Sequence, residues 1–122
     1  WQTVFAETDH LICVLPGEVS GVLQAEHFNV LPKSCYFYNV GRGNAYQESD
    51  LVDALQAGEI AGAYLDVFEE EPLPESSGLW KTDNVLIQPH LSAASPQYLE
   101  LFVEELTKRI NAEEFGPKII RD

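Results

Sequence analysis

Four short apolar runs, separated by segments of helical character, constrain the fold of this chain more than any other feature. The runs cover residues 11–15, 35–40, 60–66 and 85–88. The first is unbroken, which is typical of a strand buried on both faces of a sheet. Strands that alternate with helices form parallel sheets joined by crossover connections. The pattern therefore predicts an α/β fold with a doubly wound parallel sheet.

Helices are expected over about 24–31, over about 48–57 and after Ser95. Gly58 is expected to end the second helix, because glycine readily takes the left-handed conformation that closes a helix. Ser95 is expected to cap the last helix, with Pro96 at its first position, since both residue types favour these places. The expected apolar stripe of this helix consists of Leu99, Phe102, Val103, Leu106 and Ile110.

The net charge and the composition restrict the classes of partner. The 122 residues carry 20 acidic and 7 basic side chains, which gives a formal charge of −13. Such a surface repels nucleic acid and anionic lipid, so neither is expected as a partner. No apolar run approaches the ~18 residues of a membrane span. No basic, apolar leader is present, and a cytoplasmic location is expected.

Cys13 and Cys35 both fall in apolar runs. Free cysteine is among the residue types that are most often buried, so both are expected to be buried thiols. A disulfide is not expected in a cytoplasmic protein. No metal site is predicted.

The residues that follow the apolar runs are the candidates for function. Pro16, residues 39–42, Asp66 and His90 all stand at the end of a predicted strand. Parallel sheets gather ligands and catalytic groups at the C-terminal ends of their strands. This shared location indicates a site more strongly than any single residue does.

Arg42, Glu71 and His90 together form a set that suits the reduction of a 2-oxo acid. Arginine is a permanent cation whose fork matches a carboxylate, and histidine can donate a proton near neutral pH. Glu71 precedes Pro72, which favours an extended backbone at the glutamate. Less specific interpretations stay open: a solvated arginine in a glycine turn, an isolated histidine, a solvated acidic loop, and an aspartate, Asp66, that only begins a loop.

These residues together resemble the NAD(P)-dependent D-2-hydroxyacid dehydrogenases. The similarity extends from about residue 4 to the C-terminus. The sequences of the matching segments most resemble those of the glyoxylate/hydroxypyruvate reductase branch. The matching segments are residues 14–16, 39–43, 50–63, 65–74, 79–80 and 84–90. The resemblance implies a partial Rossmann-type sheet, the C-terminal half of the NAD(P)-binding domain, over residues 1–112. Residues 113–122 would be a tail that returns toward a substrate domain.

The resemblance also implies a function, cofactor and partners. Hydride would pass between NAD(P)H and a small 2-oxo acid, such as glyoxylate or hydroxypyruvate, to give a D-2-hydroxy acid. The full-length enzyme would be a homodimer. The cofactor would be NAD or NADP, although no G-x-G-x-x-G loop follows a strand in this sequence. Because the pyrophosphate loop and one wall of the cleft are missing, the 122 residues alone are expected to be inactive.

Each residue takes its role from the resemblance. Arg42 would bind the substrate carboxylate, His90 would protonate the alkoxide, and Glu71 would keep His90 protonated. Asp66 would accept a hydrogen bond from the nicotinamide carboxamide. The residues expected to contact the cofactor are Leu15, Pro16, Val40, Gly41, Arg42, Asp66, His90, Ser92 and Ala93. A non-catalytic scaffold of the same fold is the alternative, but a scaffold has no need to keep the three catalytic residues together.

Overall fold

The computed structural model describes residues 1–111, which contain one parallel sheet and four α-helices. The strands are β1 (His10–Cys13), β2 (Tyr36–Asn39), β3 (Gly62–Leu65) and β4 (Val85–Ile87), and they lie side by side in that order. The helices are α1 (Gln2–Ala6), α2 (Ala25–Val30), α3 (Glu48–Gln56) and α4 (Tyr98–Asn111). Short 3-10 helices occupy Gly43–Ala45 and Gly78–Lys81. The predicted α/β class with a parallel sheet is confirmed.

The chain divides into two compact units, Trp1–Ser92 and Ala93–Asp122. The first unit holds the whole sheet and α1 to α3, and the second holds α4. The boundary predicted between residues 112 and 113, and the tail beyond it, lie outside the described residues. No helix in the described part of the chain combines the length and the apolar composition needed to cross a bilayer.

The core of the first unit lies between the sheet and the two connecting helices. Phe37 of β2 is fully buried and meets Phe28 of α2 edge to face, with ring centroids 5.4 Å apart. Tyr46 meets the same Phe37 ring at 5.3 Å, also edge to face. From α3, Leu51 and Leu55 join this cluster. These aromatic contacts hold the connecting helices against the sheet. The packing thereby helps to fix the positions of the residues at the strand ends.

The expectation that the first strand is buried on both faces is wrong. Side chains alternate across a strand, and only Leu11 and Cys13 of β1 contribute to the core cluster. Ile12 is 61% exposed, and Tyr38 and Tyr64, which continue the same row across β2 and β3, are only half buried. Helices α2 and α3 supply the apolar groups that cover one face of the sheet. A row of side chains on the other face is therefore left uncovered by the rest of the first unit.

The ends of the helices follow local sequence with one exception. Helix α3 ends at Gln56, and Gly58 has φ +68°, as expected of a glycine that closes a helix. Helix α4 begins at Tyr98, not at Pro96. The Ser95 hydroxyl accepts a hydrogen bond from the Gln97 amide at 3.3 Å, so these residues form a turn before the helix starts. No residue of α4 is buried, and the predicted stripe is exposed or half exposed.

The two cysteines are free and buried, as predicted. Burial raises the pKa of the Cys35 thiol, which disfavours the reactive thiolate. His10 is the first residue of β1 and is paired in register with Tyr36. Its Nδ1 lies 3.1 Å from the Tyr38 hydroxyl.

Candidate active site

The segments that leave β2, β3 and β4 at their C-terminal ends bring the predicted catalytic residues into one cluster. Asn39 is the last residue of β2, and Arg42 follows it in the next turn. Asp66 follows β3 directly, and His90 comes three residues after the end of β4. The parallel order of the strands places these three exits along one edge of the sheet.

Glu71 and His90 form a hydrogen-bonded pair at this edge. His90 Nδ1 lies 2.7 Å from Glu71 Oε2, and the two side chains are 46% and 35% exposed respectively. The other carboxylate oxygen, Oε1, accepts a hydrogen bond from the Phe68 amide at 3.0 Å. The carboxylate is thus held at both oxygens, and it orients the imidazole with Nε2 directed away from the pair.

The electrostatics of Glu71 favour the carboxylate form. Partial burial opposes ionisation, but the hydrogen bonds from His90 and Phe68 and the positive charges of His90 and Arg42 outweigh it. The pKa of Glu71 is therefore below its usual value. The Arg42 turn lies next to this loop, because Gly43 packs against the Phe68 backbone, and the guanidinium charge helps to lower the pKa of Glu71.

Asp66 holds the backbone that follows His90. Its side chain has no exposed surface, and its two oxygens accept hydrogen bonds from the amides of Leu91 at 2.7 Å and Ser92 at 2.8 Å. Burial alone would raise the pKa of Asp66, but hydrogen bonds from the Ser92 side chain and from these two amides, together with the charge of His90, lower it overall. The sequence pattern did not reveal this contact, because it joins residues 25 and 26 positions apart through backbone amides.

His90 is the one non-glycine residue with positive φ in the part of the chain that the structure describes, at 56°. A side chain in this left-handed region carries backbone strain, of order 1 kcal/mol or more, which surrounding contacts must overcome. The Asp66 bonds to the next two amides and the Glu71 bond to the ring supply those contacts. The imidazole is therefore fixed from both its backbone and its side chain.

The Arg42 turn is tightly packed between two other loops. A Cβ on Gly41 would lie 2.7 Å from the backbone nitrogen of Leu15, and a Cβ on Gly43 would lie 1.9 Å from the carbonyl carbon of Phe68. Glycine is required at both places because no side chain fits there. Arg42 itself is exposed, and its Nη1 donates to the Gly41 carbonyl oxygen at 2.7 Å.

The residues predicted to line a dinucleotide meet at the ends of β1 and β2. The Val40 amide donates to the Cys13 carbonyl at 3.1 Å, and Gly41 lies against the backbone of Leu15, which precedes Pro16. The missing Cβ at Gly41 lets the chain ends of β1 and β2 lie against each other, at the strand ends where parallel sheets bind ligands. Ser92 is engaged by Asp66; Ala93 belongs to the second unit.

An apolar cavity of about 480 Å³ adjoins the Glu71–His90 pair. Its apolar walls include Phe68, Leu73, Trp80 and Ile87. Cavities of this size with few polar groups are the usual form of small-ligand sites. The sequence pattern missed these walls, although Leu73 and Trp80 stand out as apolar residues in an otherwise polar, proline-rich loop.

A parallel α/β sheet with an arginine turn and a glutamate–histidine pair at its carboxyl edge identifies the chain as a Rossmann-type α/β protein with its candidate site at the strand ends. Residues 1–92 match the family model described as D-isomer specific 2-hydroxyacid dehydrogenase, NAD binding domain. The chain therefore belongs to this family, and the resemblance seen in the sequence is confirmed, together with the expected NAD(P)-binding, Rossmann-type character of the fold.

Relatives within the family carry reductase names. Glyoxylate/hydroxypyruvate reductase B of Cronobacter sakazakii is 43% identical over 96 residues, which cover 77% of this chain and 30% of the relative. Glyoxylate/hydroxypyruvate reductase A of Salmonella newport is 41% identical over 91 residues, which cover 73% of this chain and 29% of the relative. The chain thus spans about 30% of the length of these curated relatives.

Solved structures show the same similarity. A D-isomer specific 2-hydroxyacid dehydrogenase from Xanthobacter autotrophicus Py2, in complex with NADPH and MES, superposes with a TM-score of 0.72 at 42% identity. The superposition covers 92% of this chain and 48% of that one. An apo NADPH-dependent glyoxylate/hydroxypyruvate reductase from Sinorhizobium meliloti gives a TM-score of 0.70 at 36% identity, over 77% of this chain and 50% of that one.

Proposed function

We propose that this chain supplies the catalytic residues of an NAD(P)H-dependent reductase that converts a small 2-oxo acid of the glyoxylate or hydroxypyruvate kind into a D-2-hydroxy acid. The observation that carries the proposal is the 2.7 Å contact between His90 Nδ1 and Glu71 Oε2 at the sheet edge that also holds Arg42. The names of the relatives from Cronobacter sakazakii and Salmonella newport support the choice of substrate.

The proposed step uses three side chains. Reduced nicotinamide, when bound, supplies the hydride that adds to the carbonyl carbon. Arg42 binds the substrate carboxylate through its guanidinium and draws electron density from the neighbouring carbonyl group. His90 donates a proton from Nε2 to the carbonyl oxygen, which becomes the hydroxyl of the product. Glu71 accepts from Nδ1 and stabilises the imidazolium before that transfer.

Other residues are proposed to position the cofactor. Leu15, Pro16, Val40 and Gly41 would line it along the ends of β1 and β2. A hydrogen bond from the nicotinamide carboxamide to Asp66 stays a prediction: the side chain has no exposed surface here, and both its oxygens accept from the amides of Leu91 and Ser92. The cytoplasmic location and the homodimer of a full-length enzyme also stay predictions.

The test uses a full-length host. In this chimeric enzyme, residues 1–92 of this chain replace the matching segment of the Cronobacter sakazakii reductase. We expect it to oxidise NADH or NADPH with glyoxylate or hydroxypyruvate, followed at the nicotinamide absorbance, and to act far less on propanal, which lacks the carboxylate for Arg42. We expect the 122-residue chain alone to show no turnover.

Two results would contradict the proposal. A chimeric enzyme with native-like circular dichroism and no turnover of either acid would refute the reductase function. Clear consumption of cofactor by the 122-residue chain alone would refute its predicted inactivity. The scaffold alternative has no observation of its own in its favour, since a scaffold has no requirement for a paired Glu71 and His90 beside an apolar cavity.

A further inference from the structure

We propose that Asn39 is a positioning residue that fixes the Arg42 turn and thereby the place of the guanidinium that binds the substrate carboxylate. The proposal rests on the proposed function, because it concerns the part that Arg42 plays there. Asn39 itself touches neither substrate nor cofactor in this scheme. It acts on the backbone on both sides of the arginine.

The hydrogen bonds of Asn39 close a small ring around the turn. Its Oδ1 accepts from the Gly41 amide at 3.0 Å, and its Nδ2 donates to the Arg42 carbonyl oxygen at 2.9 Å. One amide side chain therefore holds the peptide group that precedes Gly41 and the peptide group that follows Arg42. Aspartate would lack the donor and alanine would lack both groups, so asparagine is specifically suited to this place.

Burial makes these two bonds matter more. Asn39 has no exposed surface, and a buried polar group that loses its partner is not compensated by water. The Gly41 and Gly43 positions on either side are packed against Leu15 and Phe68 with no room for a Cβ. The turn thus has one backbone arrangement that satisfies both the packing and the hydrogen bonds.

The arginine depends on this arrangement because its own side chain is exposed. A long exposed side chain samples many rotamers, and its reach is set by the direction of its Cα–Cβ bond. Its one hydrogen bond seen here goes back to the Gly41 carbonyl, within the same turn. If the turn relaxes, the guanidinium shifts relative to the Glu71–His90 pair, and a misplacement of about 1 Å can lower the rate by a factor of ~100.

The test is a double-mutant cycle in the chimeric enzyme, with kcat/KM for glyoxylate as the readout. We expect Asn39→Ala to lower kcat/KM on the order of 100-fold. We expect Asn39→Ala combined with Arg42→Ala to lower it no further than Arg42→Ala alone, because the asparagine acts through the arginine. Asn84→Ala is the matched control: Asn84 Nδ2 donates to a loop carbonyl, that of Ala61, at 3.0 Å, and this variant should keep its activity.

Each outcome of the double-mutant cycle either supports or overturns the positioning role of Asn39. A non-additive loss supports the proposal. An unchanged kcat/KM in Asn39→Ala overturns the proposal. A loss that multiplies with the loss caused by Arg42→Ala also overturns it, because Asn39 would then act on stability and not through the position of Arg42. Asn39→Asp keeps the acceptor for Gly41 and loses the donor for Arg42. If Asn39→Ala does not fold, the same cycle is run with Asn39→Asp and judged by the same criterion.

A separate measurement distinguishes failure of the proposal from failure of the proposed function. If the unmutated chimeric enzyme is folded but inactive, the reductase function fails. The positioning role of Asn39 is then judged by amide hydrogen exchange in the 122-residue chain. The Gly41 amide should be protected and should exchange about tenfold faster or more in Asn39→Ala, while it stays protected in Asn39→Asp. Equal exchange in the unmutated chain and Asn39→Ala overturns the proposal.

Discussion

Gly43 lies directly against the backbone of Phe68, so that a Cβ on the glycine would be 1.9 Å from the Phe68 carbonyl carbon and 2.0 Å from its oxygen. The Phe68 amide in turn donates to Glu71. This backbone contact joins the loop that carries the arginine to the loop that carries the glutamate. The two loops follow different strands, β2 and β3, and the contact fixes their separation.

Gly43→Ala should therefore damage both stability and activity. The new methyl group overlaps backbone atoms that cannot rotate away, so the loops must separate, at a cost of about 1–3 kcal/mol in the free energy of unfolding. Urea unfolding of the 122-residue chain measures the first effect, and kcat/KM of the chimeric enzyme measures the second. Gly17→Ala is the control, because its Cβ would lie 3.7 Å from Arg42 Cγ, an ordinary contact. Equal behaviour of the two variants would contradict the packing argument.

Glu71→Gln should lower kcat for reduction. Glutamine can still accept a hydrogen bond from the Phe68 amide, but it carries no charge to stabilise a protonated His90. The loss of this negative charge should reduce kcat by about 10- to 100-fold. Glu70→Gln removes the same charge from an exposed neighbour and should leave kcat unchanged. Steady-state rates at saturating glyoxylate compare the two. If Glu71→Gln and Glu70→Gln both retain full kcat, the contact between Glu71 and His90 does not contribute to catalysis.

The depressed pKa of Asp66 predicts how stability depends on pH. Because the folded state lowers this pKa, the ionised carboxylate stabilises the fold above the unfolded value of about 3.9. That stabilisation is lost as the pH falls from there through the folded pKa. Urea unfolding of the 122-residue chain between pH 7 and pH 3 should show the loss.

Asp66→Asn isolates the contribution of this residue. At pH 7 the variant should be less stable by about 1–3 kcal/mol, because an amide NH₂ then faces a backbone amide that needs an acceptor. The difference from the unmutated chain should shrink at acid pH, where Asp66 is protonated. Asp83→Asn, at an exposed aspartate, is the control. A difference between Asp66→Asn and the unmutated chain that is constant with pH would argue against the assigned cause.

The one-sided packing of the sheet predicts unequal effects on its two faces. Phe37→Ala empties a fully buried position between Phe28 and Tyr46 and should cost about 3–5 kcal/mol in the free energy of unfolding. Ile12→Thr on the opposite face should change it by no more than about 0.5 kcal/mol. Denaturant titration of the 122-residue chain measures both. A large loss in Ile12→Thr would show that the 61% exposed side chain is covered in solution.

The parallel sheet could be predicted from the sequence because it rests on a local pattern, whereas the pairing of Glu71 with His90 was implied by the resemblance to the dehydrogenase family. Short apolar runs ending in polar residues identify strands, and parallel strands bring their ends to one edge. The sequence pattern puts the start of α4 two residues early, because the Ser95 hydroxyl engages the Gln97 amide in a turn that resembles a cap in sequence.

Contacts made through the backbone were not predictable in the same way. The Asn39 and Asp66 side chains bind amides whose directions depend on the three-dimensional path of the turns. The exposure of Ile12 was also missed, because an unbroken apolar run does not say which face of a sheet finds a covering helix. The cavity walls at Leu73 and Trp80 come from a loop without regular periodicity.

The proton-donating role of His90 is the central claim, and kcat for glyoxylate reduction by the chimeric enzyme carrying His90→Gln tests it most directly. Glutamine offers a hydrogen bond but no acidic proton, so the account predicts a fall in kcat of about 100-fold or more, with the thermal unfolding midpoint within a few degrees of the unmutated enzyme. A folded His90→Gln enzyme whose kcat stays within about twofold of the unmutated value would contradict the account.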